Sequence, residues 1–140
     1  MNTRPAAKRF VVALGLGAMF GLLCVFLAAQ KQPELASLTH PIFWAILTDR
    51  ILIGLVVALS GPFTRHPVLG FPYRPWLRGA CMGAVVSLPL AAGAMSGPES
   101  PQLSLWVIFA ATLLAGGLYG ALIDLVATKV GGEGNALLAA

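Results

Sequence analysis

Charged residues are scarce in this sequence: Asp, Glu, Lys and Arg make up 10 % of its 140 residues, against roughly a quarter in an ordinary soluble domain. So few charged side chains cannot cover the surface of a compact domain in water. A water-soluble monomer is therefore excluded. Apolar residues make up 58 % of the chain and its mean hydropathy is +0.85, which excludes a disordered protein and predicts a membrane protein.

Cysteine and histidine are also rare, with two of each, which excludes a disulfide scaffold and gives no spacing typical of a metal site. The sequence contains no phosphate-binding glycine loop, no Ser/His/Asp set and no nucleophilic Cys with a nearby His. We therefore expect no enzyme activity, no cofactor and no bound metal.

Long apolar runs are what the sequence does have. A transmembrane helix needs about 20 apolar residues, because the hydrocarbon core of a bilayer is about 30 Å thick. Proline-rich breaks separate the runs, and helix interiors do not tolerate such breaks. The sequence predicts an all-α, polytopic membrane protein, a single domain over residues 1–140 with four transmembrane helices at about 9–29, 42–60, 76–95 and 105–128. A signal peptide is the alternative for the first run, but its length favours a span.

Lys and Arg residues lie mostly on one side of these spans. Lys31 falls on the opposite side, whereas the others near span ends are Arg4, Lys8, Arg9, Arg65, Arg74, Arg78 and Lys129. The positive-inside rule then places both termini in the cytoplasm and the chain in the cell inner (cytoplasmic) membrane. This asymmetry accounts for the net charge of +4, so we expect a lipid bilayer and no nucleic acid as partner.

The two halves of the chain resemble each other. One ungapped shift aligns Gly17 with Gly79, Gly21 with Gly83 and Gly54 with Gly116. This similarity predicts two tandem related helical hairpins, residues 9–60 and 71–122, comparable with the parallel repeats of some transporters. An old duplication kept only as a packing scaffold is the alternative interpretation.

Small residues recur at steps of four along the predicted helices, a pattern that lets helix backbones approach closely in lipid. We assign helix packing to Gly17, Gly21, Gly79, Gly83, Ser87, Gly116 and Gly120. More small-residue faces are present than a thin four-helix bundle needs. This surplus predicts a homo-oligomer, with a dimer favoured, or membership of a larger membrane complex.

Pro89 lies in the middle of the third predicted span. It removes one backbone hydrogen bond and its ring clashes with the carbonyl of Val85, which predicts a kink and a candidate hinge. Ser87 or a neighbouring helix would satisfy the freed carbonyl.

Asp49 and Arg50 are charged residues inside the second predicted span, about 12 Å from its outer end at 1.5 Å per residue. Such residues cost free energy in the bilayer and usually face a bundle interior or water. Adjacent helix positions point about 100° apart, so we expect each side chain to need a partner elsewhere. Together with Thr48 and Thr112 they form the candidate intramembrane polar site, either functional or a structural clasp.

Asp124 is a secondary candidate near the cytoplasmic end of the fourth predicted span. We expect Arg9 or Arg78 to pair with it at the level of the lipid headgroups, where a carboxylate costs little free energy.

The sequence as a whole predicts a small multi-pass membrane protein, an oligomeric channel or transporter for an ion or small solute. The alternative is a non-catalytic subunit or assembly partner of a larger membrane complex.

Overall fold

The computed structural model describes residues 5–97 and 104–138, and most of these residues are helical. The α-helices are α1 (Pro5–Ala29), α2 (Pro41–Ser60), α3 (Pro75–Val86), α4 (Leu88–Ala94) and α5 (Leu105–Gly131). Short 3-10 turns follow at Pro33–Ala36 and Gly134–Leu137. Arg4 and most of the break predicted between the third and fourth spans lie outside the described residues.

The long helices α1, α2 and α5 are each apolar enough to cross a membrane. The third predicted span is not one helix: it is divided into α3 and α4 at Ser87, and the two parts are bent by 40°. The bend lies two residues before Pro89, the position at which the sequence predicts a kink. Proline bends the helix there because it cannot supply an N–H to the preceding turn. The chain therefore has three candidate spans, or four if α3 and α4 count as one.

Proline and glycine mark the helix ends. Pro41 and Pro75 occupy the first positions of α2 and α3, where a missing N–H leaves no hydrogen bond unmade. His40 caps α2, since its Nδ1 accepts the Ile42 N–H at 3.3 Å. After α5, Gly132 adopts a φ of 80°, which other residues rarely adopt and which ends the helix.

Glycines let neighbouring helices approach to backbone contact. A methyl group added at Gly83 would overlap the carbonyl oxygen of Gly116, and one at Gly79 would overlap that of Gly120. The residue numbers of the contacts increase along α3 as they decrease along α5, so the two helices are antiparallel. α1 and α2 pack in the same way, with Gly17 against the Arg50 carbonyl.

The two antiparallel pairs do not pack in the same register. A methyl group at Gly54 would overlap the carbonyl of Ala13, whereas its repeat equivalent, Gly116, contacts Gly83 and Ser87. Equivalent positions therefore have non-equivalent neighbours, and the tandem-hairpin repeat stays a prediction. The assigned packing glycines also have their neighbours within the chain, so a surplus of small-residue faces no longer argues for a dimer.

Apolar side chains form a layer at the centre of the bundle. Its fully or almost fully buried members are Ala13, Ile53, Val57, Ala58, Ile123 and Ala127. Large apolar side chains also cover the outside, where Leu114 is 75 % exposed and Phe26 61 % exposed. Such continuous apolar exposure fits contact with lipid tails.

Candidate functional site

Polar side chains enter the bundle at two depths. The midspan cluster consists of Asp49, Arg50, Ser87 and Tyr119, and it lies at the middle of α2. The basic-end cluster consists of Arg9, Arg78, Asp124, Thr128 and Glu133, and it lies where α1 and α3 begin and α5 ends. Part of the central apolar layer, including Ile53 and Ile123, separates the two clusters along α2 and α5.

Three side chains of the midspan cluster form a closed triangle of hydrogen bonds. Arg50 Nη1 donates to Asp49 Oδ2 at 2.5 Å and to Ser87 Oγ at 2.9 Å. Ser87 Oγ in turn donates to Asp49 Oδ2 at 2.9 Å. Asp49 is 6 % exposed, Arg50 4 % and Ser87 0 %. The pair is therefore neutralised inside the bundle and linked to a second helix.

The contact between Asp49 and Arg50 corrects the expectation that these neighbours do not neutralise each other. Their Cβ directions diverge, but the long stem of arginine brings its guanidinium back around the helix to the carboxylate. The same guanidinium lies over the ring of Tyr119, with its Cζ 5.2 Å from the ring centroid. A cation–π contact of this kind stabilises a desolvated arginine. Phe20 stacks on the same tyrosine ring.

The Nε of Arg50 is a buried donor without an acceptor among the described residues. Buried polar groups are nearly always paired, and an unpaired donor in low dielectric costs free energy. The midspan cluster thus retains capacity for one further acceptor.

The threonines assigned to the polar site do not contact the charged pair. Thr48 is exposed and donates to the Trp44 carbonyl of its own helix at 2.6 Å. Thr112 likewise donates to the Ile108 carbonyl at 2.8 Å. Threonine hydroxyls in helices commonly bond backward to their own backbone. The contact from outside α2 comes instead from Ser87, whose hydroxyl binds the charged pair rather than the carbonyl left free by Pro89.

The basic-end cluster is centred on Asp124, which is 0 % exposed. Arg78 Nε donates to Asp124 Oδ2 at 2.7 Å, and its Nη2 donates to Oδ1 at 3.0 Å, a two-pronged contact. Arg9 Nη2 donates to the same Oδ1. Asp124 therefore contacts both arginines expected near it. The two guanidinium groups and Thr128 enclose the carboxylate, and its position at the level of the lipid headgroups stays a prediction.

The charges of the basic-end cluster balance. A second carboxylate, Glu133, lies 3.0 Å from Arg78 Nη2, so two arginines face two carboxylates. The remaining arginine donors bind backbone carbonyls at the ends of helices and in loops: Arg9 contacts Val57, Ala58 and Gly132, and Arg78 contacts Phe63. These contacts join α1, α2, α3 and α5, which indicates a structural clamp.

Sequence reasoning missed two members of the midspan cluster as partners of the charged pair. Ser87 follows Gly79 and Gly83 at steps of four, so its position on the packed face was visible, although its partner was not. Tyr119 carries no such signal, because nothing in its spacing relates it to Arg50. Comparison with protein-family models, curated proteins and solved structures finds no match for this chain.

Proposed function

We propose that this protein is a small multi-pass membrane transporter that moves an ion or small solute, with the midspan cluster as its binding site. The observation that supports this proposal is a charged pair buried at the middle of α2 and hydrogen-bonded to Ser87, the residue at the break between α3 and α4. The apolar surface of the helices fits the membrane setting.

Charge in this position has a free-energy cost that packing alone does not explain. A charged side chain near the bilayer centre costs about 2.5 to 3.5 kcal/mol on insertion scales. The aligned positions in the other half of the chain are Ala111 and Thr112, so a helix of this kind forms without charge. Retained intramembrane charges of this sort are typical of substrate and ion pathways.

The break beside the charged pair supports transport rather than a static clasp. Transporters commonly place their binding sites near the bilayer midplane, at helices that are interrupted there. Ser87 is both the end of α3 and the bridge between Asp49 and Arg50. Movement of α4 about the break at Ser87 would shift this hydroxyl and open the cluster. The buried apolar layer lies between the midspan cluster and the basic end.

Orientation and assembly are part of the same proposal. Lys8, Arg65, Arg74 and Lys129 lie at or beyond the end of the bundle that holds the basic-end cluster. We place this end, with both termini, in the cytoplasm and the chain in the inner membrane, following the positive-inside rule. We keep a homodimer in the proposal because closed two-fold pairs are the commonest oligomers, and not because of the packing glycines, which contact residues of the same chain.

A second candidate function is a non-catalytic subunit of a larger membrane complex. The close packing around the charged pair favours it, because Asp49, Arg50 and Ser87 are each less than 10 % exposed. In that case the cluster is a clasp between α2 and α3, and the protein binds no solute.

Flux measurements on purified protein in liposomes separate these candidates. The panel comprises inorganic cations, inorganic anions, small organic acids and amines, tested with the wild type, Asp49→Asn and Arg50→Gln. Thr48→Val is the matched control, since Thr48 is on the same helix but outside the cluster. Transport predicts flux above empty liposomes that at least one charge substitution changes by about tenfold or more, with Thr48→Val unchanged. Absence of flux with a co-purifying partner, or unchanged flux in both variants, would contradict the proposal.

A further inference from the structure

We propose that the midspan cluster binds a small inorganic anion together with one proton, the anion on the Arg50 guanidinium and the proton on the Asp49 carboxylate. This inference rests on the proposed function and adds the substrate class and the coupling ion. It starts from the spare donor of Arg50 and from the charge balance of the cluster.

The spare donor indicates what kind of ligand fits. Arg50 Nε is buried and has no acceptor among the described residues. Arginine holds its donors in a planar fork that suits an anion with two or more acceptor atoms. An anion on the edge formed by Nε and Nη2 supplies the acceptor that Nε lacks, while Asp49 Oδ2 keeps its place on Nη1 at the other side of the guanidinium.

The cost of an uncompensated buried charge couples the binding of the anion to the binding of a proton. At present Asp49 and Arg50 together carry no net charge, and the site lies in the middle of a lipid-embedded helix. An anion that binds alone leaves the site at minus one, and a proton that binds alone leaves it at plus one. Either state places an uncompensated charge in a low-dielectric region. When both bind, Asp49 is neutral, the anion balances Arg50 and the site is again uncharged.

The proton goes to Asp49 because of what surrounds it. Arg50 on α2 and Ser87 at the break are the polar groups that contact this carboxylate in the described structure. Tyr119 on α5 lies against the arginine, and Cys24 on α1 lies beside Tyr119. Arginine already carries its proton in proteins, and Asp49 is the carboxylate among these groups, so it loses its negative charge when it gains a proton. Asp49 is therefore the group that gains a proton from the aqueous phase as the anion arrives.

Ser87 adjusts to both states without moving far. Its hydroxyl now accepts from Arg50 and donates to Asp49. When Asp49 is protonated, its remaining carbonyl oxygen still accepts from this hydroxyl, because a serine hydroxyl rotates to suit its partners. The tight enclosure of the cluster restricts the ligand to a few atoms, so we choose chloride and nitrate as probes.

Binding calorimetry tests the coupling without any need for transport. Sodium nitrate and sodium chloride are titrated into purified protein in detergent, in two buffers that differ in ionisation enthalpy. The wild type should take up about one proton per anion bound, as the charge balance requires. Asp49→Asn should bind the anion with no proton uptake, and Arg50→Gln should bind it about tenfold to a hundredfold more weakly. Thr48→Val should match the wild type.

Three outcomes of this titration would overturn the inference: anion binding by the wild type without proton uptake, anion binding equal in Arg50→Gln, or no binding of either anion by a monodisperse wild type. Binding of sodium ion with proton release would also overturn it, since that result assigns a cation to Asp49. A chemical-denaturation curve for each variant shows that a loss of binding is not a loss of folding.

Liposomes that contain a trapped pH dye separate this inference from the proposed function. An inward nitrate gradient should acidify the interior in the wild type, independently of an imposed membrane potential. In Asp49→Asn the nitrate flux should persist without acidification and should respond to potential. If a different solute shows cluster-dependent flux while nitrate and chloride carry no protons, the transport proposal stands and the coupling inference is wrong. If the anion binds with a proton but no solute moves, the coupled binding stands and the transport proposal is wrong.

Discussion

Arg9 on α1 and Asp124 on α5 form an ion pair although 115 positions separate them in the chain. Both side chains are almost completely buried, and Asp124 is shared with Arg78 of α3. One carboxylate thus joins three helices at the basic end of the bundle. Because the arginines also bind carbonyls at the end of α2, this contact sets how the helices are positioned below the midspan cluster.

Asp124→Asn should destabilise the protein strongly, since it leaves Arg9 and Arg78 buried with too little negative charge. Removal of one partner from a buried ion pair costs about 3 to 5 kcal/mol. Thermal unfolding in detergent, followed by tryptophan fluorescence, measures the effect. Glu133→Gln is the control, because Glu133 is 34 % exposed and should matter much less. Equal unfolding temperatures for the two variants would contradict the central role of Asp124.

Gly83→Ala should destabilise the contact between α3 and α5. The added methyl group would overlap the Gly116 carbonyl oxygen, and such overpacking costs about 1 to 3 kcal/mol. Gly15→Ala is the matched control, since nothing lies within 4 Å of the added group there. That control should be neutral or stabilising by up to about 1 kcal/mol, because alanine is the better helix former. The same unfolding assay decides, and equal effects in both variants would count against the glycine contact.

Ser87→Ala should loosen the midspan cluster without removing charge. Asp49 and Arg50 each lose a buried hydrogen bond, and an unsatisfied buried group costs about 1 to 3 kcal/mol. Thr48→Val should have little effect on the free energy of unfolding, because its hydroxyl is exposed and bonds only within its own helix. Chemical denaturation of both variants provides the comparison, and an unaffected Ser87→Ala would show that the bridge contributes no stability.

Tyr73 should give the protein a specific loss of stability in alkali. It lies in the loop before α3, is 4 % exposed, and burial raises its pKa to about 12 from the usual value of about 10. The folded protein holds this proton more tightly than the unfolded chain. The resulting stability is present below about pH 10 and is lost as the pH rises towards about 12. Tyrosinate absorbance in Tyr119→Phe, which leaves Tyr73 as the remaining tyrosine, should show the high midpoint, and Tyr73→Phe should lack it.

Cysteine labelling should reveal the orientation of the bundle. Leu38 and Leu69 are both well exposed and lie at opposite ends of the bundle. In a Cys24→Ser, Cys81→Ser background, a membrane-impermeant maleimide should label Leu38→Cys in spheroplasts and Leu69→Cys after lysis only. The positive-inside rule gives this direction, because Arg65 and Arg74 flank Leu69. The reverse labelling pattern would place the termini outside.

Several parts of the fold were predictable from the sequence, because helix formation depends on residues within about four positions. Apolar runs of sufficient length predicted α1, α2 and α5, and prolines predicted the starts of α2 and α3 closely. Pro89 predicted the bend in the third span. The complete division of the span at Ser87 was not predicted. The Ser87 hydroxyl is held by Asp49 and Arg50 of α2, and such a contact between helices is not visible in the local sequence.

Sequence patterns also located the charges that matter in the candidate site but not their partners. Asp49 and Arg50 are conspicuous because charge is costly in an apolar helix. Thr48 and Thr112 were assigned to them on depth alone, and depth does not specify the direction of a side chain. In the structure these threonines bond to their own helices, and Ser87 and Tyr119 take the neighbouring positions.

The amino-acid sequence by itself determined that this is a helical protein for a lipid environment, where its helices begin, and which polar residues lie within them. These are local properties, set by hydropathy, proline and the reach of one helical turn. Only the tertiary structure decided that Ser87 bridges Asp49 and Arg50 and that Asp124 holds Arg9 together with Arg78. Such pairs depend on how far each helix is rotated and shifted against the next, and glycine contacts distributed along whole helices fix that geometry.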